Sequence, residues 1–368
     1  METTSIDIST FDYDPDYFGS RRLLVTIKSF DLQAIRDRYL ASKNNKSGRR
    51  GYVERREAGT GGIAFLELHG DRLESEVLYR MKEPRGVDAK GEKVAIAAED
   101  AVFIFDSGKT YRLRYPWFSY IHTVAFSPQL DNAILVASSG LDCIFEFDYV
   151  SGKLLWEWFA WENGFNRSYD AQGNEQYLCR TLDHKRALEA EGKPAKLIKN
   201  PTASTLPTAQ RAAFINSVAY RNDEVNEILA TFFHEGKLFS IDRETGGAKA
   251  QVADMKSPHG GKHLAKNSWL VTSTATGEVV ELRGDHENRF KFHGLDHKAP
   301  EMGEAEWLQN SIVEGDTIIT VDSNRNRLVL FDPKARKYAM AAYDSNWAVQ
   351  DLVSVTFEKD RVRRLQLI

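Results

Sequence analysis

Six side chains that could bind or transform a small ligand recur at or near the starts of strand-like segments along the chain. They are Arg85, His122, Asn216, His259, His263 and Asn310. Imidazole can act as nucleophile, acid or base near neutral pH, while arginine and asparagine supply hydrogen-bond donors. If the strands converge on one axis, these groups would face an anionic or carbonyl-containing ligand. His234, in the turn Phe233-His-Glu-Gly236, would lie at the same end and could join them.

The segments that must position these residues form a repeat. Each copy has an apolar run, a polar turn and an alternating strand that usually ends on Asp. Two clear copies are Ile134-Leu-Val-Ala-Ser138 with Ile144-Phe-Glu-Phe-Asp148, and Thr317-Ile-Ile-Thr-Val321 with Leu328-Val-Leu-Phe-Asp332. β units that repeat about every 40 residues are typical of propellers. The sequence therefore predicts an all-β fold: a single six-bladed β-propeller of four-stranded antiparallel blades over residues 1–368.

In two places the sequence between neighbouring strands is longer than a blade requires. The interval between His122 and Asn216 leaves roughly 50 extra residues if a blade takes about 40, and this insertion is placed at about 160–213, with a helix at 182–191. The first blade carries another insertion at about 31–60, with a helix at 31–41 that Asp31 would cap. In four-stranded blades, the loops that carry the two insertions lie on the same face. We therefore expect them to cover the channel mouth where His122 and His259 lie.

Two segments of the chain could supply the inner strand of the first blade. Residues 346–357 could supply its inner strand, so that both ends of the chain share one sheet and no edge is exposed. Alternatively the first twenty residues supply that strand and residues 361–368 add an outer one. The first reading is favoured.

Each candidate residue also has a structural interpretation. His122, in Ile121-His-Thr-Val-Ala-Phe-Ser-Pro128, could tie neighbouring blades together, and Asn216 could cap a strand. In Pro258-His-Gly-Gly-Lys-His263 the glycines permit a bulge or a close backbone approach. In an extended strand, at about 3.3 Å per residue, His259 and His263 would be too far apart to share one ion. A divalent metal held by His122, His259 and a carboxylate or Asn remains an alternative.

A basic segment lies in the first insertion, and it is either a solvated loop or a clamp for an anion. Its members are Lys43, Lys46, Arg49, Arg50, Arg55 and Arg56. The sequence has no P-loop, no GxSxG elbow and no GxGxxG after a strand, which argues against the commonest nucleotide-binding and serine-hydrolase sites.

Composition limits the partners. A net charge of −4 gives no overall attraction to nucleic acid or to an anionic membrane. The N-terminal residues lack the features of a secretory signal, no apolar run is long enough to span a bilayer, and Cys143 and Cys179 have no zinc-binding spacing. We expect a cytoplasmic protein whose partner is a small molecule bound in the channel, with no nucleic-acid or membrane partner. The oligomeric state is left open.

Three phrases together resemble the arylsulfotransferase-like β-propeller proteins over residues 116–282. They are Ser151-Gly-Lys-Leu-Leu-Trp-Glu-Trp158, Trp161-Glu-Asn-Gly164 and Phe214-Ile-Asn-Ser-Val218. The resemblance implies a propeller with a channel-centred site that uses His, Asn and Arg. One departure is that Phe214 stands where the family carries a His before Asn-Ser-Val, so one imidazole of a sulfuryl-transfer site is missing.

The leading hypothesis is an enzyme or small-molecule binder that performs group transfer or hydrolysis on a small anionic or aromatic metabolite. His259 would be the acid/base or nucleophile, His122 its partner or a metal ligand, and Asn216 a donor to an oxyanion. Ligand-binding roles would fall to Arg85, His263, Asn310 and His234. A metal-dependent, lactonase-like hydrolase is one alternative.

The other alternative is a non-catalytic propeller that binds a protein. The two insertions discriminate between the classes. A lid would close over the channel, whereas a docking surface would leave Trp161, Phe165 and Tyr169 exposed in one patch.

Overall fold

The structure, a computed structural model, describes residues 2–42, 45–222 and 224–360. Within them the α-helices are α1 (Leu32–Ala41) and α2 (Leu182–Ala190). Short 3-10 helices occupy Ile8–Thr10, Pro15–Phe18, Ala160–Glu162, Pro201–Ala203, Thr208–Gln210, Thr274–Thr276 and Pro300–Met302. The strands in chain order are β1 (Glu2–Asp7), β2 (Asp12–Tyr13), β3 (Ser20–Ser29), β4 (Thr60–His69), β5 (Arg72–Lys82), β6 (Val87–Lys90), β7 (Lys93–Ala97), β8 (Val102–Asp106), β9 (Lys109–Leu113), β10 (Ile121–Phe126), β11 (Ala133–Ser138), β12 (Cys143–Asp148), β13 (Lys153–Phe159), β14 (Arg167–Tyr169), β15 (Glu175–Cys179), β16 (Ala195–Leu197), β17 (Ile215–Tyr220), β18 (Glu227–Phe232), β19 (Lys237–Asp242), β20 (Ala248–Val252), β21 (Pro258–Ala265), β22 (Ser268–Ser273), β23 (Glu278–Arg283), β24 (His286–Lys291), β25 (Leu308–Glu314), β26 (Thr317–Asp322), β27 (Arg327–Asp332), β28 (Lys337–Ala342) and β29 (Ala348–Ser354).

Most of these strands belong to sheets of four antiparallel strands. In the described part of the chain, sheet I has the order β29-β3-β4-β5, sheet II runs from β6 to β9, sheet III from β10 to β13, and sheet IV from β17 to β20. Sheet V runs from β21 to β24 and sheet VI from β25 to β28, each with one added strand. Consecutive strands pair through short turns, as the repeated apolar runs and turn residues predict. The fold is therefore all-β.

The inner strands of the sheets contact one another in a cycle. Strand β6 contacts β10, and the series continues through β17, β21, β25 and β29 before β29 returns to β6. The starts of these strands thus surround one axis, which is the channel. Residues at those starts are brought together although they lie far apart in the sequence.

Sheet I joins the two ends of the chain. Strand β29 pairs antiparallel with β3, in a register that places Leu352 opposite Val25. The prediction that residues 346–357 supply this inner strand is confirmed. Residues 361–368, which the alternative used as an outer strand, lie outside the described residues.

The alternative placement of the first twenty residues is wrong. Strand β1 pairs in parallel with β24 at the outer edge of sheet V, and β2 pairs in parallel with β28 at the outer edge of sheet VI. Sheets V and VI therefore have five strands each rather than the expected four. The polar sequence of β1, which leaves Glu2 to Ser5 exposed, fits an outer edge and not a buried channel wall.

The core lies between the faces of neighbouring sheets. Alternate residues of β3 (Leu23, Val25 and Ile27) pack in one cluster with Ile319 and Val321 of β26, and all five are fully buried. Burial of each such side chain stabilises the fold by roughly 1.5–3 kcal/mol. This packing between sheets holds the inner strands in fixed positions around the channel.

The insertion at 31–60 is anchored on sheet VI. Asp31 accepts a hydrogen bond from the Ala34 amide, 3.0 Å away, and so begins helix α1 where the sequence predicted. Arg36, on the buried face of α1, donates to the carbonyl oxygens of Ser323 and Asn324 at 2.7 and 3.0 Å. It also pairs with Glu301 at 2.9 Å. These contacts hold α1 against the rim of the channel.

The insertion at 160–213 contains a small sheet and α2. Strands β14 and β15 are antiparallel, and β16 runs parallel to β15. The end of the insertion, just before sheet IV, is held by Asp142, a fully buried carboxylate in the turn between β11 and β12. Its oxygens accept hydrogen bonds from the backbone amides of Ala212 and Phe214, at 2.7 and 2.6 Å, and from the Trp161 indole at 3.2 Å.

We expect Asp142→Asn to lower the free energy of unfolding by about 2 kcal/mol. One oxygen becomes an NH₂ group that faces other donors, and a buried donor without an acceptor costs roughly 1–3 kcal/mol. Denaturant unfolding followed by circular dichroism would measure the change. The matched control is Asp100→Asn, at an exposed position. Equal stability of the two variants would contradict the anchoring role.

Both cysteines, Cys143 and Cys179, are buried and form no disulfide. Nowhere in the described residues is a helix both long and apolar enough to cross a membrane.

Candidate functional site

A cavity of about 140 Å³ lies at one mouth of the channel, beneath both insertions. The insertions meet above it. The Ala209 amide donates to the Tyr52 carbonyl at 3.0 Å, and the Gln210 side chain donates to the Val53 carbonyl at 3.1 Å. Arg49 donates to the Arg211 carbonyl at 2.7 Å. The two segments thus form a lid over the end of the channel where the inner strands of sheets III and V begin.

His122 and His259 line the floor of this cavity. His122 is in β10 and His259 in β21, and their ring centroids are 5.3 Å apart. Both are buried, with 4% and 8% of their surfaces exposed. The two imidazoles that the sequence proposed as partners are therefore adjacent, and both also line a smaller chamber below.

The ring nitrogens of the two histidines have different surroundings. His259 Nδ1 lies 3.1 Å from the Ser257 carbonyl oxygen and 2.8 Å from Thr274 Oγ1. His122 Nδ1 is buried and has no hydrogen-bond partner in residues 2–42, 45–222 and 224–360. Neither Nε2 forms a hydrogen bond within the described part of the chain, which leaves both for a ligand.

Burial is the main influence on the protonation of both rings. It lowers the pKa of His259 to about 4, and Lys28 adds to the effect. Burial, then His259 and Arg85, lower the pKa of His122 well below its usual value. Both imidazoles are therefore neutral at pH 7 and can accept or donate a hydrogen bond.

The Gly260-Gly261 pair shapes the strand beside His259. The pairing of β21 with β22 shifts between His259 and Lys262, which is a bulge. Gly260 has a φ of +63°, and a Cβ there would lie 1.6 Å from Asn310 Oδ1. Glycine is thus required for the close approach of sheets V and VI, and the bulge that the sequence allowed is present.

The cavity wall is strongly cationic. Of its described residues, the carboxylates are Glu54 and Glu83, and the cations are Lys28, Arg38, Arg50, Arg55, Arg56 and Arg211. Such an excess of positive charge in a partly enclosed space attracts anions. Aromatic rings complete the wall: Tyr39, Tyr52, Tyr120, Phe214, Phe233 and Trp307.

Arg211 offers a buried donor to this space. It is 1% exposed, and its Nε donates to the Leu206 carbonyl at 3.1 Å. Its Nη1 has no hydrogen-bond acceptor within the described segments. Burial lowers the pKa of Arg211 to about 10, which leaves it charged at neutral pH. A buried, charged N–H without an acceptor indicates a place for a ligand oxygen.

Tyr120 lies between two guanidinium groups. Arg85 Cζ is 3.4 Å from its ring centroid and Arg211 Cζ is 4.1 Å from it, so both make cation–π contacts. Burial raises the pKa of Tyr120, but Lys28, Arg85 and Arg211 outweigh it and lower that pKa below the usual value. The ring links the channel wall to the second insertion.

Arg85 has its charge neutralised by two carboxylates. It pairs with Glu83 and with Glu99, each at 2.8 Å, and it is 1% exposed. The same carboxylates also pair with the lid, since Arg56 contacts Glu83 and Arg55 contacts Glu99. Arg85 lines the lower chamber and not the main cavity. Its main contribution is to link parts of the channel wall through these two ion pairs.

Members of the basic segment take part in the lid. Arg50, Arg55 and Arg56 line the cavity, and Arg49 holds the second insertion. Lys43 lies outside the described residues. These arginines therefore belong to the lid, and the anion-clamp interpretation stays a prediction.

Asn216 and Asn310 line the lower chamber, and their side-chain amides already form hydrogen bonds within the protein. Asn216 donates to the Pro258 carbonyl at 2.7 Å and accepts from Thr231. Asn310 donates to Asp351 and accepts from the Ser311 amide at 2.8 Å. Both link strands around the channel, and neither lines the main cavity.

His234 and His263 lie away from the two central imidazoles. His234 Nε2 is 2.9 Å from the Thr208 carbonyl, in a groove beside the lid. His263, at the far end of β21, packs against Trp269 and lies 3.2 Å from the Asn222 amide. The structure does not bring either of them to the cavity that His122 and His259 line.

A metal ion held by the protein alone would need several ligand side chains close together. Within residues 2–42, 45–222 and 224–360, no three His, Cys, Asp or Glu side chains come together as metal ligands. A metal on His122 and His259 would take its other ligands from bound molecules, so this alternative remains a prediction.

Lys28, Tyr120, Arg211, Gln309 and Gln350 line the cavity but were not singled out from the sequence. Lys28 ends an apolar strand, and Arg211 lies in an irregular insertion where no periodic pattern marks it. Of these residues, Tyr120 could have been identified from the sequence, because it directly precedes the inner strand that carries His122.

Comparison with known proteins identifies the fold. No family model and no curated protein matches the sequence. A solved nidogen/laminin complex matches with a TM-score of 0.52 and 10% identity, over 92% of this chain and 99% of that chain. A protein of unknown function from Bacteroides caccae matches with a TM-score of 0.53, 10% identity and the same coverage. The arylsulfotransferase-like resemblance stays a prediction, and these likenesses show that the chain has a β-propeller fold.

Proposed function

We propose that the chain is a six-bladed β-propeller that binds a small anionic ligand with an aromatic or other planar part at its lidded channel mouth, and acts on it by group transfer or hydrolysis. Sheets I to VI would be the blades. The cycle of contacts between their inner strands supports this number.

One observation carries the functional proposal: a cationic cavity lies directly above two buried, neutral imidazoles. The carboxylates Glu54 and Glu83 are outnumbered by lysine and arginine, and Arg211 Nη1 has no acceptor in the described part of the protein. Imidazoles that stay neutral at pH 7 can take a proton from a nucleophile or donate a hydrogen bond to a ligand. The aromatic wall suits a planar group attached to the anion.

The lid also favours a small-molecule site over a protein-docking surface. Trp161 is 1% exposed, and its indole is bonded to Asp142. Phe165 packs against Phe232, with ring centroids 4.8 Å apart, and Tyr169 lies under Arg49. The exposed aromatic patch expected of a docking surface is therefore not formed by these residues.

We expect Arg211→Met to weaken binding of an anionic ligand about 10- to 100-fold, because a hydrogen bond to a charged group contributes roughly 1.5–3 kcal/mol. The experiment screens aromatic and aliphatic carboxylates, sulfates and phosphates by calorimetry on the wild-type protein. The best ligand is then titrated into the variant.

Arg186→Met is the matched control, because Arg186 is an exposed arginine of α2 in the same insertion. It should bind as the wild type does. The proposal fails if no anion in the panel binds, or if Arg211→Met binds as tightly as Arg186→Met.

A further inference from the structure

A second, smaller chamber lies in the channel below the two imidazoles. Its volume is about 10 Å³, close to the space that one water molecule needs. Arg85, His122, His259, Asn310 and Asp351 are among its lining residues.

Two polar atoms of residues that line this chamber have no hydrogen-bond partner among the residues that the structure describes. They are Arg85 Nε and His122 Nδ1, in side chains that are at least nine-tenths buried. A buried polar atom left unpaired costs roughly 1–3 kcal/mol. The amides of Asn216 and Asn310 and the carboxylate of Asp351 already have partners. The chamber thus has about the volume of one water, and two of the residues around it carry a polar atom that a water could pair.

We propose that this chamber holds one ordered water molecule, which accepts from Arg85 Nε and donates to His122 Nδ1, and thereby gives the two histidines opposite roles. His122 would present an N–H at Nε2 to the ligand above. His259 would present a lone pair at Nε2. The role assignment rests on the proposed ligand site, whereas the water and the tautomers do not.

The direction of each hydrogen bond follows from the chemistry of the partners. An arginine Nε–H can only donate, so it would occupy one lone pair of the water, which keeps two hydrogens of its own to donate. We assign one of these hydrogens to a lone pair on His122 Nδ1, and the proton of this neutral ring then lies on Nε2. The Ser257 carbonyl can only accept, so His259 Nδ1 carries the proton and its Nε2 is free.

The two rings would then cooperate in one step. His259 Nε2 takes the proton of a nucleophilic O–H group, and the electron pair of the broken O–H bond stays on the oxygen. His122 Nε2–H meanwhile donates to an anionic oxygen of the ligand. His259 is the base in this scheme, and Arg85 is a positioning residue that acts through the water and His122.

Nitrogen NMR of the unliganded protein, labelled with ¹⁵N-histidine and measured at pH 7, tests the tautomers. The signals of the two rings are identified by their loss in His122→Gln and in His259→Gln. We expect His122 to be protonated on Nε2 and His259 on Nδ1. His259 is the internal control, because a protein acceptor already fixes its Nδ1 proton. Protonation of His122 on Nδ1, or a mixture of both forms, would overturn the assignment.

A crystal structure at a resolution that shows ordered water tests the chamber itself. One water within hydrogen-bond distance of both Arg85 Nε and His122 Nδ1 is the supporting result, and its absence would overturn the proposal. Neither measurement uses a ligand. A failed ligand screen with the expected tautomers would therefore contradict only the proposed function, while the converse result would contradict only the water.

Discussion

Replacing Arg85 with methionine is expected to lower the free energy of unfolding by at least about 3 kcal/mol, because removal of one partner from a buried ion pair typically costs 3–5 kcal/mol. Glu83 and Glu99 are 2% and 6% exposed, and both are held by this guanidinium. The remaining lid arginines would have to balance both charges alone. Guanidinium unfolding at pH 7 measures the change.

Arg114→Met is the control for the loss of an arginine, because Arg114 is exposed. It should change stability by less than about 0.5 kcal/mol. A triple variant that combines Arg85→Met with Glu83→Gln and Glu99→Gln should recover part of the loss, because the buried charges are removed together. A loss below about 1 kcal/mol for Arg85→Met would show that the network is not a major source of stability.

Acidification is expected to destabilise the protein through His122 and His259. Both have folded-state pKa values below the usual 6.5, and that of His259 is about 4. Below pH 6.5 the imidazoles therefore bind protons in the unfolded chain but stay neutral in the folded protein. The contribution of the two rings to the free energy of unfolding is fully present above pH 6.5 and is lost as the pH falls. Each ring contributes up to about 1.4 kcal/mol per pH unit, or roughly 2 kcal/mol by pH 5.

The comparison that isolates this effect is between the wild type and the double variant His122→Gln, His259→Gln, each unfolded at a series of pH values. Other groups titrate in the same range. Burial raises the pKa of Asp88 to about 6, so this carboxyl stabilises the folded state as the pH falls. Because Asp88 is common to both proteins, its contribution cancels in the difference. Parallel stability curves from pH 7 to pH 5 would contradict the prediction.

The strands were predictable because each sheet obeys local rules. Apolar runs bounded by turn residues identify strands such as β11 and β12 without knowledge of their neighbours. The polar strand β1 has no such pattern. It is stabilised by pairing with the outer edge of sheet V, a partner more than 280 residues away in the sequence. An edge contact of that kind leaves no signal in the local sequence.

The candidate site was predictable only where strands position it. His122 and His259 begin inner strands, so the geometry of the fold brings them together. Arg211 reaches the same cavity from an irregular segment, whose path depends on Asp142 and on contacts with the other insertion. Its position follows from tertiary contacts and not from periodicity.

Arg85 shows why residue type alone is a weak guide to a role. The sequence assigned it to an anionic ligand, but its side chain lines the lower chamber and not the cationic cavity. Two neighbouring carboxylates satisfy most of its guanidinium. Since Glu99 follows β7 and Glu83 follows β5, only the folded arrangement brings these charges together.

The pairing of β29 with β3 has a consequence for biosynthesis. The inner strand of sheet I comes from residues 348–354, so β3 lacks its neighbour on that side until those residues have been synthesised. The cycle of contacts between inner strands can form only after β29 has left the ribosome. Contacts between such distant segments form slowly, because the entropy of the long loop must be lost before the pairing compensates for it. Completion of the channel therefore has to wait for residues 348–354 to be synthesised.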